Sequence, residues 1–90
     1  MAPTYTVSFA RDAWKQLQRL PTAVQQRALK VIGRLAQDPR PQGCRKIKGR
    51  DNEWRIKVGK DYRVWYQVWD QQVLVIVIKV GPRQGFYNRK

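Results

Sequence analysis

The sequence predicts an α+β fold in which two N-terminal helices pack on one face of a mainly antiparallel sheet of four to five strands. Two observations predict it. Apolar residues change from alternation to helical spacing early in the chain, and they return to alternation after Gly43. No linker or repeat interrupts the 90 residues. This length suits one domain with a modest core, so we expect a single domain over residues 1–90.

The first half of the chain predicts one strand followed by two helices. Residues 5–9 alternate apolar and polar side chains, which is typical of a half-buried strand. Residues 10–20 carry apolar side chains three and four positions apart, which indicates a helix. Pro21 suits the first turn of a second helix, whose apolar stripe continues to Leu35. The Pro- and Gly-containing segment 38–43 ends it in a loop.

The second half predicts four strands, at residues 45–48, 53–58, 62–69 and 73–80. Short polar loops at residues 59–61 and 70–72 join the last three of them. The last strand is almost entirely β-branched, so we expect a central strand covered on both faces. The predicted order of elements is therefore β-α-α-β-β-β-β.

Charge is the strongest functional signal in the composition. The chain has 19 Lys and Arg against 6 Asp and Glu, which gives a net charge of +13 and a pI near 10.8. Self-repulsion of this size destabilises a compact state unless an anionic partner offsets it. The composition therefore indicates a polyanion or an acidic protein as partner.

The absence of histidine and the single cysteine exclude several kinds of site. Cys/His zinc sites and His-activated nucleophiles cannot form, and Cys44 cannot make a disulfide within the chain. We expect Cys44 to be a small packed residue, with no metal and no cofactor. The N-terminus lacks the apolar segment of a signal peptide, and the longest apolar run, at 73–78, is too short to cross a bilayer. We therefore expect a cytoplasmic protein with no membrane partner.

The loop at residues 59–61 fixes how the strands before and after it pair. With three residues in that loop, Lys57 lies directly opposite Arg63 and Arg55 lies opposite Trp65. The alternating side chains then face the helices, and we expect them to form the core: Trp54, Ile56, Val58, Tyr62, Val64, Tyr66 and Val68.

Two cations facing each other across a strand pair weaken the pairing, so stability alone gives no reason to keep Lys57 opposite Arg63. A bound phosphate reverses the sign of this effect, because two cations then flank one anion. Trp65 lies beside the pair, where it could stack on a base. We interpret Arg55, Lys57 and Arg63 as a phosphate site; the alternative is an ordinary solvated basic surface.

Two further groups complete the candidate site. Arg83 and Tyr87 follow the last strand, in a segment that could return them to the same face; the alternative for Tyr87 is an aromatic cap on the core. A second group of cations is expected to track an RNA backbone, and it comprises Arg45, Lys46, Lys48 and Arg50.

These motifs resemble the RelE/ParE toxin superfamily, and its RelE-like mRNA interferase branch in particular, nearly from end to end. The resemblance rests on ordered motifs in this sequence: Leu17-x-x-Leu20-Pro21, Lys46-Ile47-Lys48-Gly49, Trp54-Arg55-Ile56-Lys57-Val58-Gly59, Tyr62-Arg63-Val64-Trp65-Tyr66, and Val80-Gly81-Pro82-Arg83 with Tyr87.

The resemblance implies a type II toxin that enters the A site of the 70S ribosome and cuts the mRNA there, using the RNA's own 2′-hydroxyl. A cognate antitoxin would hold it inactive. By motif match, the catalytic positions fall on Arg55, Lys57, Arg63, Arg83 and Tyr87. Lys57 and Tyr87 would handle protons, with the roles of base and acid open between them.

Two positions depart from the family pattern. Arg55 stands where some members have lysine, and an arginine is a poor proton acceptor because it stays charged. Pro82 stands where many relatives have histidine. Three other functions compete with mRNA cleavage: inhibition of DNA gyrase, as in the ParE branch, RNA binding without chemistry, and an inactive toxin that keeps only its antitoxin binding.

Overall fold

The computed structural model describes residues 4–83 and confirms the predicted α+β fold. In chain order the elements are β1 (Thr6–Phe9), α1 (Arg11–Gln18), α2 (Thr22–Leu35), β2 (Arg45–Lys46), β3 (Glu53–Val58), β4 (Tyr62–Trp69) and β5 (Leu74–Pro82). Within these residues neither helix is long and apolar enough to cross a membrane.

Most boundaries lie within two residues of the prediction, and those of β3 and β4 coincide with it. Pro21 precedes the first turn of α2, as its N-cap, instead of lying inside that turn. β2 ends at Lys46, two residues early, because the chain turns at Gly49, whose φ is 82°. β5 continues two residues further than predicted, since Pro82 still pairs with Tyr62.

The five strands form one sheet in the order β1-β5-β4-β3-β2. β1 pairs with β5 in parallel, and the other three pairs are antiparallel. This topology places the first and last strands side by side, and it places β4 in the middle of the sheet. The hydrogen bonds of β1 to the far end of the chain therefore close the fold.

Both helices pack on one face of the sheet, and the core lies between the two layers. The buried residues are Ala13 and Leu17 of α1, Ala28, Ile32 and Leu35 of α2, and Val58, Val64, Tyr66, Val68, Val75, Val77 and Val80 of the sheet. On the other face of β5, Ile76 and Ile78 are only half-buried. The prediction that this strand is covered on both faces was therefore wrong, because the helices cover one face only.

Tyr66 ties the loop after α2 to the centre of the sheet. Its hydroxyl donates a hydrogen bond to the carbonyl oxygen of Pro39 at 2.8 Å, and its side chain is fully buried. Burial raises the pKa of Tyr66 above its usual value, so the residue stays neutral. The loop that leads from α2 into β2 is thereby held against the core.

A second anchor joins the same loop to the turn between β4 and β5. Asp70 accepts a hydrogen bond from the Tyr5 hydroxyl at 2.7 Å and forms an ion pair with Arg40 at 2.9 Å. The hydrogen bond from Tyr5, followed by that from Arg40, lowers the pKa of the Asp70 carboxyl. The Arg40 guanidinium also lies 5.7 Å from the ring centroid of Trp54. These contacts connect β1, β3 and both loops at one end of the sheet.

One irregularity in the sheet changes which side chains share a face. Trp65 pairs with Lys79, but Tyr66 pairs with Val77, so Ile78 is an extra residue in β5. Strict alternation from Val77 would place Lys79 on the core face. The bulge instead turns Lys79 to the face opposite the helices, beside Trp65.

A candidate nucleic-acid interface on the open face of the sheet

The sheet face opposite the helices carries a cluster of cations that we call the basic face, comprising Arg45, Arg55, Lys57, Arg63 and Lys79. Lys57 pairs directly with Arg63, as the sequence predicted from the loop length. Residues in that relation have Cβ atoms about 5 Å apart. Arg63 in turn pairs with Gly81, which adds no side chain beside it.

The next row of the sheet continues the positive charge across four strands. Arg45 pairs with Arg55, Arg55 with Trp65, and Trp65 with Lys79. The alternation of Arg55 with Trp65 was predicted, whereas Lys79 was missed. Lys79 reaches this face because of the bulge at Ile78, and no pattern in the β-branched sequence of β5 predicts a bulge there. The two rows together place three cations around the facing Lys57 and Arg63.

Arg63 is the most unusual member because it is only 7% exposed. Its Nη1 donates hydrogen bonds to two backbone carbonyls, Tyr62 at 2.9 Å and Lys60 at 3.2 Å. Within residues 4–83 no carboxylate forms an ion pair with it. A buried charge without a counter-ion costs free energy, and such positions commonly serve a ligand. The backbone contacts hold the guanidinium in place before any anion arrives.

Beside Arg63 lies a small cleft of about 50 Å³, lined by Gly43, Arg45, Arg55, Ile56, Lys57 and Arg63. A larger groove of about 380 Å³ adjoins it and shares several of these residues. The groove extends toward α2, where Val31 and Arg34 line it together with Pro41 and Gln42. Among residues 4–83 no acidic side chain lines either depression, so both favour an anionic occupant.

Arg83 lies at the same end of the sheet as Arg63. Its backbone N–H donates to the carbonyl oxygen of Asp61 at 2.7 Å, which fixes it against the loop between β3 and β4. Arg83 follows Gly81, the partner of Arg63, by two residues. The structure thus places the Arg83 backbone at the end of the sheet that carries the facing cations, whereas Tyr87 lies outside the described residues.

The cations predicted to track an RNA backbone do not form one group. Arg45 joins the basic face, but Lys46 pairs with Trp54 on the other side of the strand. The Lys46 ammonium donates to the carbonyl oxygens of Arg50 and Asp51 at 2.6 and 2.9 Å, and it lies 5.6 Å from the Trp54 centroid. Lys46 therefore also holds the turn that follows β2.

Lys48 and Arg50 are exposed in that same turn, away from the facing pair. The Arg50 guanidinium lies 3.7 Å from a carboxylate oxygen of Glu53. Trp65, the predicted stacking residue, is half-buried on the open face, and its indole N–H donates to the other Glu53 oxygen at 2.8 Å. The sequence did not indicate Glu53 as a partner of Trp65, because a single acidic residue at the start of a strand forms no recognisable motif.

Comparison with known proteins shows the family to which the chain belongs. The family model described as "ParE toxin of type II toxin-antitoxin system, parDE" matches residues 7–85. The chain belongs to the RelE/ParE toxin superfamily. It is thus a type II toxin, as its motifs indicated.

The relatives of this toxin include mRNA interferases. It is 32% identical over 81 residues to the mRNA interferase toxin RelE of Escherichia coli K12, a match that covers 89% of this chain and 84% of that protein. The isolated E. coli RelE toxin superposes with a TM-score of 0.78 at 30% identity, covering 96% of this chain and 87% of that one.

The archaeal RelE–RelB complex from Pyrococcus horikoshii gives the same TM-score, 0.78, at 32% identity, and the match covers 89% of this chain and 96% of that chain. Relatives of this toxin have therefore been crystallised with their RelB antitoxins.

Proposed function

We propose that this toxin is an endoribonuclease that cuts mRNA in the ribosomal A site. The observation that carries the proposal is the buried Arg63 facing Lys57, with further cations in the adjoining row of the sheet. Five cations at neighbouring positions on one face of the sheet suit a phosphodiester. The relatives named mRNA interferases support the choice of RNA as the substrate.

The reaction needs no group outside the RNA and the protein. The 2′-hydroxyl oxygen attacks the adjacent phosphorus, and the bond from phosphorus to the 5′-oxygen breaks. The 2′-hydroxyl gives its proton to a base, and an acid gives a proton to the departing 5′-oxygen. The products are a 2′,3′-cyclic phosphate and a 5′-hydroxyl end.

Arg63 is suited to stabilise the negative charge that develops on the phosphate oxygens. Its Nη1 is already held by the Lys60 and Tyr62 carbonyls, so little reorganisation is needed when charge appears. Arg83, anchored through Asp61, would reach the same phosphate from the end of β5.

Lys57 and Tyr87 are the proposed proton-handling pair. Lys57 is exposed directly opposite Arg63, so it can approach the attacking or the leaving oxygen. Arg55 is assigned to phosphate positioning, because a guanidinium stays charged and accepts protons poorly. This division gives the arginine at position 55 a role that does not require loss of a proton.

We also propose a cognate antitoxin as the partner that keeps the toxin inactive. The groove of about 380 Å³ has apolar walls at Val31 and Ile56 and cations at Arg34 and Lys57. An acidic amphipathic segment would satisfy both features. A segment bound there would cover Lys57 and so block the reaction.

Mapping of transcript 5′ ends after brief induction tests the proposal. We expect cuts phased with the reading frame and 2′,3′-cyclic phosphate ends upstream of each cut. Lys57→Gln, Arg63→Ala and Arg83→Ala should each reduce cutting about 100- to 1,000-fold, the typical loss when one charge-stabilising group is removed.

Lys30→Gln is the matched control. It removes one exposed cation from α2, which packs on the other face of the sheet from the basic face, and should cut like the wild type. Full cutting by Lys57→Gln and Arg83→Ala would refute the assigned site. Absence of cuts together with inhibition of purified DNA gyrase in a supercoiling assay would favour the ParE-like function instead. RNA binding without cyclic phosphate ends would indicate a non-catalytic protein.

A further inference from the structure

Two tryptophans lie on the open face of β4, beyond the cations assigned to cleavage. Trp65 and Trp69 share that face with Gln67 between them, and the four-residue separation spans about 13 Å. Both rings are half-buried, so part of each indole reaches solvent. We call Trp65, Trp69, Gln67 and their β3 neighbour Glu53 the tryptophan platform.

A continuous chain of hydrogen bonds holds the two rings. The Trp69 indole N–H donates to Gln67 Oε1 at 3.0 Å, and Gln67 Nε2 donates to Glu53 Oε2 at 3.1 Å. The Trp65 indole N–H donates to Glu53 Oε1 at 2.8 Å. Each indole therefore has its polar edge tied down, which fixes the orientation of its aromatic face.

This arrangement differs from tryptophans that fill a core. Trp54 lies on the helix side, between Arg40 and Lys46. The platform rings instead lie on the face that neither helix covers. Fixed rings on a face opposite both helices are prepared to receive a flat ligand, because the entropy of ordering them has already been lost.

The charge around the platform selects an anionic ligand. Trp65 has Arg55 on one side and Lys79 on the other within one row of the sheet. Glu53, the acid within the platform, has its side chain only 13% exposed and lies 3.7 Å from Arg50. Its carboxylate accepts hydrogen bonds at both oxygens, so it presents little negative charge to a ligand.

We propose that the tryptophan platform binds unpaired bases of single-stranded RNA, on the path that leads along β4 away from the cleavage cations. Bases stack on Trp65 and Trp69 while Lys79 contacts the backbone, and Glu53 with Gln67 acts as the positioning pair. The identity of the ligand as RNA rests on the proposed nuclease function. Stacking tolerates any base, so the platform adds affinity without sequence preference.

The test measures binding apart from cleavage. Purified toxin is titrated into a short fluorescein-labelled RNA whose 2′-hydroxyls are methylated, so that no attack on phosphorus can occur, and fluorescence anisotropy is recorded. Trp65→Ala and Trp69→Ala should each weaken binding about 10-fold, as expected for loss of one stacked base. The salt dependence of binding should stay as in the wild type, because neither change removes a phosphate contact.

Trp14→Ala is the matched control, because Trp14 is 47% exposed on α1 and packs edge-on against Phe9. It should leave RNA affinity unchanged. Lys79→Ala should weaken binding and reduce the slope of log K against log salt by about one phosphate contact.

Glu53→Ala separates a positioning role from a charge effect. Loss of a negative charge near the RNA alone would tighten binding, whereas release of the two indoles weakens it. We expect weaker binding with a normal salt slope, and tighter binding would overturn the role of Glu53.

Equal affinities for the wild type and both platform variants would overturn the proposal, as would a wild type that does not bind the RNA. Loss of antitoxin binding with intact RNA binding would also overturn it, since the surface would then be a protein contact. If the wild type cuts no transcript but its RNA affinity depends on both tryptophans, the platform stands and only the nuclease proposal fails.

Discussion

Substitution of Lys57 by glutamine should make the toxin more stable while it reduces cleavage about 100- to 1,000-fold. Lys57 lies directly opposite Arg63 in the β3–β4 pair, and the two like charges oppose the pairing. Glutamine keeps a similar length and a similar preference for strands, but it removes the charge. A phosphate bound between these two cations would explain why the sheet carries a pair that weakens it.

The size of the gain follows from the geometry. Directly opposite side chains interact by about 0.2–1 kcal/mol, and like charges do so unfavourably. Arg63 is only 7% exposed, so solvent screens its charge less than that of a surface pair, and the upper half of the range applies. A gain of ~0.5–1 kcal/mol raises Tm by about 2–8 °C in a domain of this size.

Thermal unfolding followed by circular dichroism at low and high salt measures this gain. Lys30→Gln is again the control, because it lowers the net charge by the same amount from an exposed helix position. The local effect is the difference between the two variants, and it should shrink in about 1 M salt. The reasoning is refuted if Lys57→Gln is no more stable than Lys30→Gln at low salt.

Two further predictions concern the anchors of the fold. Tyr66→Phe leaves the buried Pro39 carbonyl without its donor and should lower the free energy of unfolding by about 1–3 kcal/mol in urea denaturation. Tyr62→Phe removes a hydroxyl that makes no hydrogen bond within residues 4–83, so it should change this free energy little. Equal losses for the two variants would contradict the assignment. Asp70→Asn should lower Tm slightly at neutral pH. Because the pKa of Asp70 is lowered in the folded state, its contribution is present above about pH 4 and disappears as pH falls through the lowered pKa. The Tm difference from the wild type should therefore vanish in acid, and a difference that persists below about pH 3 would contradict the reasoning.

The sequence by itself determined the pairing of β3 with β4 and the face that carries the cations. Alternation and a three-residue loop admit one register, since a slip of one residue would turn Trp54 and Val64 away from the core. Lys57 opposite Arg63 followed directly from that register. These features are local, so a pattern of neighbouring residues suffices to predict them.

Only the tertiary structure decided three other features. The bulge at Ile78 brought Lys79 to the basic face, and the turn after β2 drew Lys46 away from it. The burial of Arg63 and the hydrogen bond that holds its guanidinium to the Lys60 carbonyl are visible only in the folded chain. The bulge is a matter of backbone geometry within a uniform β-branched run, and the positions of Lys46 and Arg63 depend on side-chain hydrogen bonds to backbone carbonyls of nearby turns. Side-chain periodicity encodes neither kind of feature.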